Sequence, residues 1–495
     1  MVYKVGDRLQ ISSELCIIRF IGTISDWGED ITAYGLEWDN IERGRHDGEV
    51  NGTRYFSTLT GNSATIMKES KLLQSLDADR TLLHALNTKY GDNLRSIETM
   101  YIGSKKLESY GFDKLAQIYN DYSNLKLLSL SRLCVRSAGS SEELAELSER
   151  CTSVESLDLS FNLLTDFNEV VTIVSKLPTI RQLDVSGNVF QMNYSEQVVC
   201  PNLKSLTLVY CRLTAEFIKL IMRSFPNLES LNVQDNNINC LDEVTVPRSL
   251  RELNISQNGI KKLPPTFSSA FITTLLVAEN EISDISLDTC DSIQRLDISK
   301  NKIDNWATLD KINLKFPNLK GLRIDENPFC SDESSETDSF YQIIARVSNI
   351  TMLNGSILTR ELREDAEFYF ISKVQSGLIS YDRLLHRWGS LMQHHNISER
   401  EASSETANFI ANRICRIKVH TVDPLEFELN VLNSISVRYL KSLIAKHINA
   451  DVLSVKLTYS IVPDIIISFN HEFSSISNFG ISTGSNIYVT LDNVH

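Results

Sequence analysis

Much that would assign this 495-residue chain to a familiar class is missing from it. It opens with no charged-then-apolar leader, and no apolar run approaches the roughly 20 residues a membrane-spanning helix needs, so neither secretion nor membrane insertion is expected. Its nine cysteines include no C-x-x-C pair, which argues against a zinc site or a disulfide framework and for reduced thiols in the cytoplasm. Basic charge is short as well. A formal net charge of −14 is unsuited to nucleic acid, which rewards a basic surface. No G-x-x-x-x-G-K-[S/T] loop, G-x-S-x-G elbow or H-E-x-x-H pair is present. The expectation is therefore no enzyme, no cofactor and no metal. His394-His395 invites a metal reading, but neither Cys nor a further His stands at ligand spacing.

What is present is a phrase repeated ten times between residues 97 and 330. Its cleanest copies are Val154-x-x-Leu157-x-Leu159-x-x-Asn162-x-Leu164 and Leu250-x-x-Leu253-x-Ile255-x-x-Asn258-x-Ile260. Further copies start at Ile97, Leu125, Ile180, Leu203, Leu228, Ile272, Ile293 and Leu319, at steps of 21 to 29 residues. The L-x-L alternation predicts a short strand with apolar side chains turned inward. The asparagine that follows (Asn162, Asn188, Asn236, Asn258, Asn280, Asn301, Asn327) can satisfy backbone groups left unpaired where the chain leaves the strand. No unit can bury its own apolar face, so neighbours must stack into a solenoid. This is the leucine-rich repeat. Cys211 replaces the asparagine once, and the first two copies carry Lys105 and Leu133 there. The exposed positions between inward residues would line a concave face suited to a large protein partner: Asp158, Asp184, Thr207, Asn232, Asn254, Leu276, Asp297 and Arg323.

Residues 1–72 read as a small β domain punctuated by glycines. Its informative stretch runs Gly35-Leu36-Glu37-Trp38-Asp39-Asn40-Ile41-Glu42-Arg43-Gly44-Arg45-His46-Asp47-Gly48, followed by Gly52-x-x-Tyr55-Phe56. A glycine-flanked loop lets backbone N–H groups approach a carboxylate, Arg45 adds positive charge, and His46 can donate a hydrogen bond. The stretch resembles the CAP-Gly domain. That resemblance implies a groove for acidic tails ending in an aromatic residue, as on α-tubulin, with Gly44, Arg45, His46, Asp47, Gly48 and Lys68 as its binding residues. Ala33 stands where the family usually has Trp, and Ile66 where it has another aromatic residue. A groove short of two aromatic surfaces is expected to hold its peptide more weakly. Residues 1–75 hold 8 Lys and Arg against 11 Asp and Glu, so long-range steering of an acidic tail is not expected either.

Residues 76–96 read as a helix stopped at Gly91. After Asn327-Pro328-Phe329 come an acidic loop (331–336) and a segment that resembles the helical cap of intracellular leucine-rich repeats. Residues 359–393 show helical spacing (Leu362, Ala366, Phe370, then Leu384, Leu385, Trp388, Leu391), and 396–412 read as a linker. From Ile414 the order is strand, turn at Asp423-Pro424, strand, helix, strand, strand. It resembles the ubiquitin-like β-grasp fold (α+β). The sequence ends without Gly-Gly, so an interaction module rather than a conjugated tag is expected.

The expected organisation is a CAP-Gly barrel at 1–75 and an α/β solenoid with caps at 76–358. A helical extension and linker follow at 359–413, then a ubiquitin-like domain at 414–495. This order resembles the tubulin-folding cofactor E (tubulin-specific chaperone E) family. The resemblance implies a cytoplasmic, cytoskeleton-associated chaperone that binds α-tubulin and assembles or dissociates the αβ-tubulin dimer with tubulin cofactors B, C and D. The ubiquitin-like domain also offers a contact for the proteasome, and no nucleic acid or membrane partner is expected. Two other classes fit the modules: a microtubule-associated adaptor to the ubiquitin–proteasome system, and a regulatory subunit built on the repeats.

Overall fold

The computed structural model describes residues 3–28, 30–91, 121–191, 199–330, 336–397, 414–421, 426–460, 466–469 and 471–491, with the backbone of 101–102 and 105–106. Lys105's side chain, most of the acidic loop and of the linker, the turn at Asp423-Pro424 and the C-terminal Asp492–His495 lie outside the described residues. Contacts group the chain into two compact units, 1–304 with 314–328 and 305–313 with 329–495. No helix among the described residues is long and apolar enough to cross a membrane.

The first unit begins with an antiparallel sheet of β1 (Arg8–Ile11), β2 (Glu14–Thr23), β3 (Thr32–Trp38) and β6 (Ala64–Lys68). A hairpin of β4 (Glu49–Val50) and β5 (Thr53–Arg54) follows the glycine-rich stretch directly. Alternation along β3 decides its two faces. Tyr34, Leu36 and Trp38 enter a core with Leu9, Ile11, Cys16, Ile18 and Leu72; Ala33, Gly35 and Glu37 face the other way.

Thr81 caps the helix Leu82–Tyr90 and Gly91 closes it, the stop the sequence pattern gives; residues 76–81, expected in the helix, precede it, with Arg80–Thr81 in a short strand. Beyond it, nine parallel strands of three residues each run from Leu127–Ser129 to Gly321–Arg323. Their register stacks Leu128, Leu157, Leu183, Leu206, Leu231, Leu253, Leu275, Leu296 and Leu322 in one buried row. Repeat length decides what crosses behind the strands. The long repeats starting at Leu125, Val154 and Leu203 have room for helices (Ser141–Arg150, Phe167–Lys176, Ala215–Ser224), whereas the shorter one from Leu250 carries only a 3-10 turn, Pro265–Ser269.

Each ladder asparagine closes its coil. Asn236 is typical: Nδ2 donates to the carbonyls of Leu208 (2.9 Å), Val233 (2.9 Å) and Gln234 (3.0 Å), while Oδ1 accepts from the N–H groups of Cys211 (3.0 Å) and Leu213 (2.9 Å). At the exception, the Cys211 thiol reaches the carbonyls of Val185 (3.5 Å) and Val209 (3.4 Å) instead. Burial pushes that thiol up to about 12, which leaves it protonated and unreactive. Among the described residues eight cysteines are free thiols, and of these Cys240 is exposed.

In the second unit the helices Arg360–Gln375 and His386–His394 share a core of Phe370, Ile371, Val374, Trp388, Leu391 and Met392 with Ala345. Leu384, expected on the helical face, is 94% exposed. The helical pattern breaks at Gly377, whose φ of +73° turns the chain out of the first helix, and Leu384 falls in the connection. The C-terminal sheet runs in the order 426–432, 414–421, 486–491, 455–460, 467–468, with its first and last long strands parallel and the helix Val437–His447 packed on it. That is the ubiquitin-like β-grasp, with one short strand, Ile467–Ser468, more than the sequence pattern indicated. Phe368 of the first helix joins its core.

Candidate peptide groove and solenoid face

The glycine-rich loop is held by close backbone approach. Gly48 lies at φ +103°, and a Cβ there would come within 2.1 Å of the Phe56 carbonyl oxygen. A Cβ on Gly44 would meet the Asn62 carbonyl oxygen at 1.9 Å. Neither position tolerates a side chain without moving the backbone. Between them, Arg45 N–H donates to Ala64 O (2.7 Å) and Ala64 N–H to His46 O (2.8 Å), so the loop is laced to the start of β6.

His46 takes part in the loop with one ring nitrogen and leaves the other free for a ligand. Nδ1 accepts from Gly48 N–H (3.0 Å), which fixes a neutral ring with its proton on Nε2. Burial lowers the His46 pKa from its ordinary 6.5, against an upward pull from Asp47. The folded ring thus resists protonation. Its contribution to the loop is complete above pH 6.5 and is lost as the pH falls from there toward the lowered value. Asp47 is tied to Arg54 (2.8 Å), whose hydrogen bond holds that carboxyl below its usual range. Arg45 is exposed.

The expected shortage of aromatic surface is offset by residues the motif does not contain. Phe20 stacks on Phe56 (6.3 Å between ring centres) and tilts against Tyr55 (5.5 Å); His46 meets Phe56 edge-on (6.3 Å). Two glycines make this possible: a Cβ on Gly35 would strike the Phe56 ring at 2.3 Å, and one on Gly22 the Phe20 ring at 2.6 Å. The Lys68 ammonium lies 5.4 Å over the Trp27 ring. Trp27 and Phe20 carry no local motif. The register that sets Phe20 opposite Gly35 is seen only in the folded sheet.

The solenoid row is assembled in register: Asp158, Asp184, Thr207, Asn232, Asn254, Leu276, Asp297 and Arg323 are successive cross-strand neighbours. Its Asp and Asn side chains serve their own coils first. Oδ1 of Asp158, Asp184, Asn232, Asn254 and Asp297 each accepts the N–H two residues on, at 2.8–3.1 Å, an Asx turn that ends the strand. Arg323 is the exposed member, 3.8 Å from Asp297. One residue before each ladder asparagine lies a second row that the sequence reading passed over. There Gln257 (3.0 Å) and Lys300 (3.3 Å) both donate to Glu279, and Gln257 accepts from Gln234 (2.7 Å), which stands two residues before Asn236. Those two bonds hold the Glu279 carboxyl below its ordinary range.

His394 and His395 do meet a carboxylate. Their ligand atoms and those of Glu367 lie within 4.8 Å of one another. Glu367, however, is already paired with Arg387 (2.6 Å) and bonded to His395 (2.7 Å), an arrangement that accounts for the buried carboxylate without a cation.

A CAP-Gly domain, a leucine-rich solenoid and a ubiquitin-like domain in one chain define a multidomain binding protein. The CAP-Gly domain family matches residues 5–72, and the Leucine Rich Repeat family residues 249–270. Over nearly its full length the chain is 32% identical to Protein PAC2 of Saccharomyces cerevisiae, covering 99% of this chain and 97% of that protein. It is 26% identical to Tubulin-folding cofactor E of Arabidopsis thaliana (85% and 84% covered) and 24% identical to Tubulin-specific chaperone E of Pongo abelii (98% of both). The chain belongs to the tubulin-specific chaperone E family.

Proposed function

We propose that this chain is a cytoplasmic tubulin chaperone. It captures the acidic C-terminal tail of α-tubulin in the groove around Gly44, Arg45, His46, Asp47, Gly48 and Lys68, and holds the subunit body on the strand row from Asp158 to Arg323. It thereby promotes assembly or dissociation of the αβ-tubulin heterodimer with cofactors B, C and D. The names of its relatives support the tubulin role. The observation that carries the tail reading is the loop itself: an exposed Arg45 beside a neutral His46 whose Nε2–H is left free by the Gly48 contact, flanked by Phe20, Phe56 and Tyr55.

Two weak contacts on one subunit reinforce each other, because the second is intramolecular once the first has formed. Linkage of this kind raises combined affinity by about 10²–10⁴ over either contact alone. The N-terminal domain is also fixed on the solenoid. Fully buried Arg8 pairs with Asp39 through both guanidinium Nη atoms, and its Nε donates to the Asn162 carbonyl at 3.2 Å. The groove and the strand row therefore keep one spacing, with no flexible link to order on binding.

The test is a titration of the full chain with a synthetic Glu-rich peptide ending in tyrosine. Arg45→Ala with His46→Ala is expected to weaken binding by about 1.5–3 kcal/mol per shielded charge-assisted bond, less for the exposed Arg45. His46→Asn, whose Oδ1 can accept from Gly48 N–H, should retain most of the affinity. Unchanged affinity in the double variant would remove the groove assignment.

A further inference from the structure

Two described coils break the asparagine rule, and both turn toward the N-terminal domain. Where the ladder position holds Leu133 or Cys211, the next residue is left-handed: Cys134 at φ 58° and Arg212 at φ 57°. The residues that follow a ladder asparagine (Leu163, Val189, Asn237, Gly259, Glu281, Lys302) keep negative φ. Cys134 packs with Leu15 and Leu163. Arg212 reaches across to Glu37, with Nη2 3.4 Å from Oε1.

Glu37 has no exposed surface, and it is the hub of this corner. Its Oε2 accepts from Arg19 Nε (2.5 Å); its Oε1 accepts from Leu59 N–H (3.1 Å) and Thr60 Oγ1 (3.5 Å) as well as from Arg212. The segment from Leu59 to Ala64 is the one against which the recognition loop is built, through the Gly44–Asn62 approach and the bonds from Ala64 to Arg45 and His46. A continuous set of contacts thus runs from a solenoid coil, through one carboxylate, to the loop. Nη1 of Arg212 is buried without a hydrogen-bond partner. Leaving such a group unpaired is costly, and a leucine would fill this corner without that cost, as Leu163 does two coils earlier. The contact with Glu37 is what a charge here supplies.

We propose that Arg212 is a positioning residue for acidic-peptide recognition: from the solenoid, it fixes the Leu59–Ala64 segment through Glu37 and so presets the loop at Gly44–Gly48. The proposal rests on the peptide-binding reading of the groove. It makes tail capture depend on an intact solenoid coil 175 positions away in sequence from Glu37.

The experiment compares the full chain with Arg212→Met and Arg212→Lys. One readout is affinity for the Glu-rich tyrosine-ended peptide; the other is amide hydrogen exchange at Leu59, measured without peptide. Arg212→Met is expected to bind roughly tenfold more weakly, as loss of one partly shielded charge-assisted bond implies. Its Leu59 amide should exchange faster while the unfolding midpoint of the solenoid stays put. Arg212→Lys, whose ammonium can still approach Glu37, should recover much of both. Wild-type affinity and wild-type Leu59 exchange in Arg212→Met would overturn the proposal, and so would a lysine variant as impaired as the methionine one. If exchange responds as expected but even the wild-type chain binds no peptide, the Arg212 coupling to the segment stands and the peptide reading of the groove falls.

Discussion

Asn236→Ala is expected to lower the stability of the solenoid by about 3–5 kcal/mol. The side chain is 6% exposed and makes five hydrogen bonds, three donated to carbonyls and two accepted from N–H groups of the preceding coil. Alanine orphans the Leu208 carbonyl and the Cys211 and Leu213 N–H groups at about 1–3 kcal/mol each, whereas the carbonyls of Val233 and Gln234 keep bonds from Asn258 Nδ2 and Tyr210 N–H; water entering the space left behind recovers part of the loss. The neighbouring coil shows the limit of tolerance. Cys211 keeps two contacts to carbonyls, but a thiol is a poor acceptor for the two N–H groups. Urea unfolding followed by circular dichroism measures the loss, with Thr207→Ala on the strand row as a control expected to change stability by less than about 1 kcal/mol. A loss below 1 kcal/mol for Asn236→Ala would mean that the ladder is not what holds the coils together.

Gly48→Ala should have the largest effect on recognition. A φ of +103° strains any residue with a Cβ, at about 1–3 kcal/mol, and the added carbon would lie 2.1 Å from the Phe56 carbonyl oxygen. The loop must move away from Phe56 and take with it the N–H that His46 Nδ1 accepts. At 1.4 kcal/mol per factor of ten, peptide affinity should fall roughly 10- to 100-fold. The solenoid transition in urea should stay where it is, since Gly48 touches none of its coils. Fluorescence anisotropy with a labelled peptide reads the first quantity. Affinity within twofold of wild type would show that the loop geometry is not what the groove depends on.

The two predictions draw on features that were unequally legible in the sequence. The asparagine ladder was legible because its chemistry is local. An L-x-L strand followed by Asn fixes both the inward leucines and the turn, so register and row membership follow from spacing alone. The same alternation placed Asp158, Asp184, Asn232, Asn254 and Asp297 on the strand face. It could not say that each would bond its own backbone two residues on, which leaves less of these side chains for a partner. The recognition loop was legible through its glycines. Its aromatic surroundings were only half so, because Phe20 reaches Phe56 through sheet pairing and Trp27 reaches Lys68 from a 3-10 turn rather than through a motif. Least legible was the fixing of the N-terminal domain. Arg8 and Asn162, or Glu37 and Arg212, lie 154 and 175 residues apart, and nothing local marks such a pair. Leu133 and Cys211 look like worn repeats in the sequence. In the structure, the residue after each turns left-handed toward the first domain, so local irregularity marks where the solenoid supports something else.

Deleting the first domain would be a poor way to separate its contribution. Removing residues 1–75 would take Arg8 from the Asn162 carbonyl and Leu15 from Cys134 and Leu163, exposing a surface the intact chain buries. Point variants of the full chain avoid this, and they lead to the most direct measurement: size exclusion of purified αβ-tubulin mixed with an equal amount of the chain, with cofactor B present or absent. α-Tubulin is expected to co-elute with the chain and intact dimer to fall in stoichiometric proportion, whichever nucleotide is supplied, with the effect blunted by Arg45→Ala with His46→Ala. Tubulin that elutes entirely as undisturbed dimer, with none bound to the wild-type chain, would contradict this expectation.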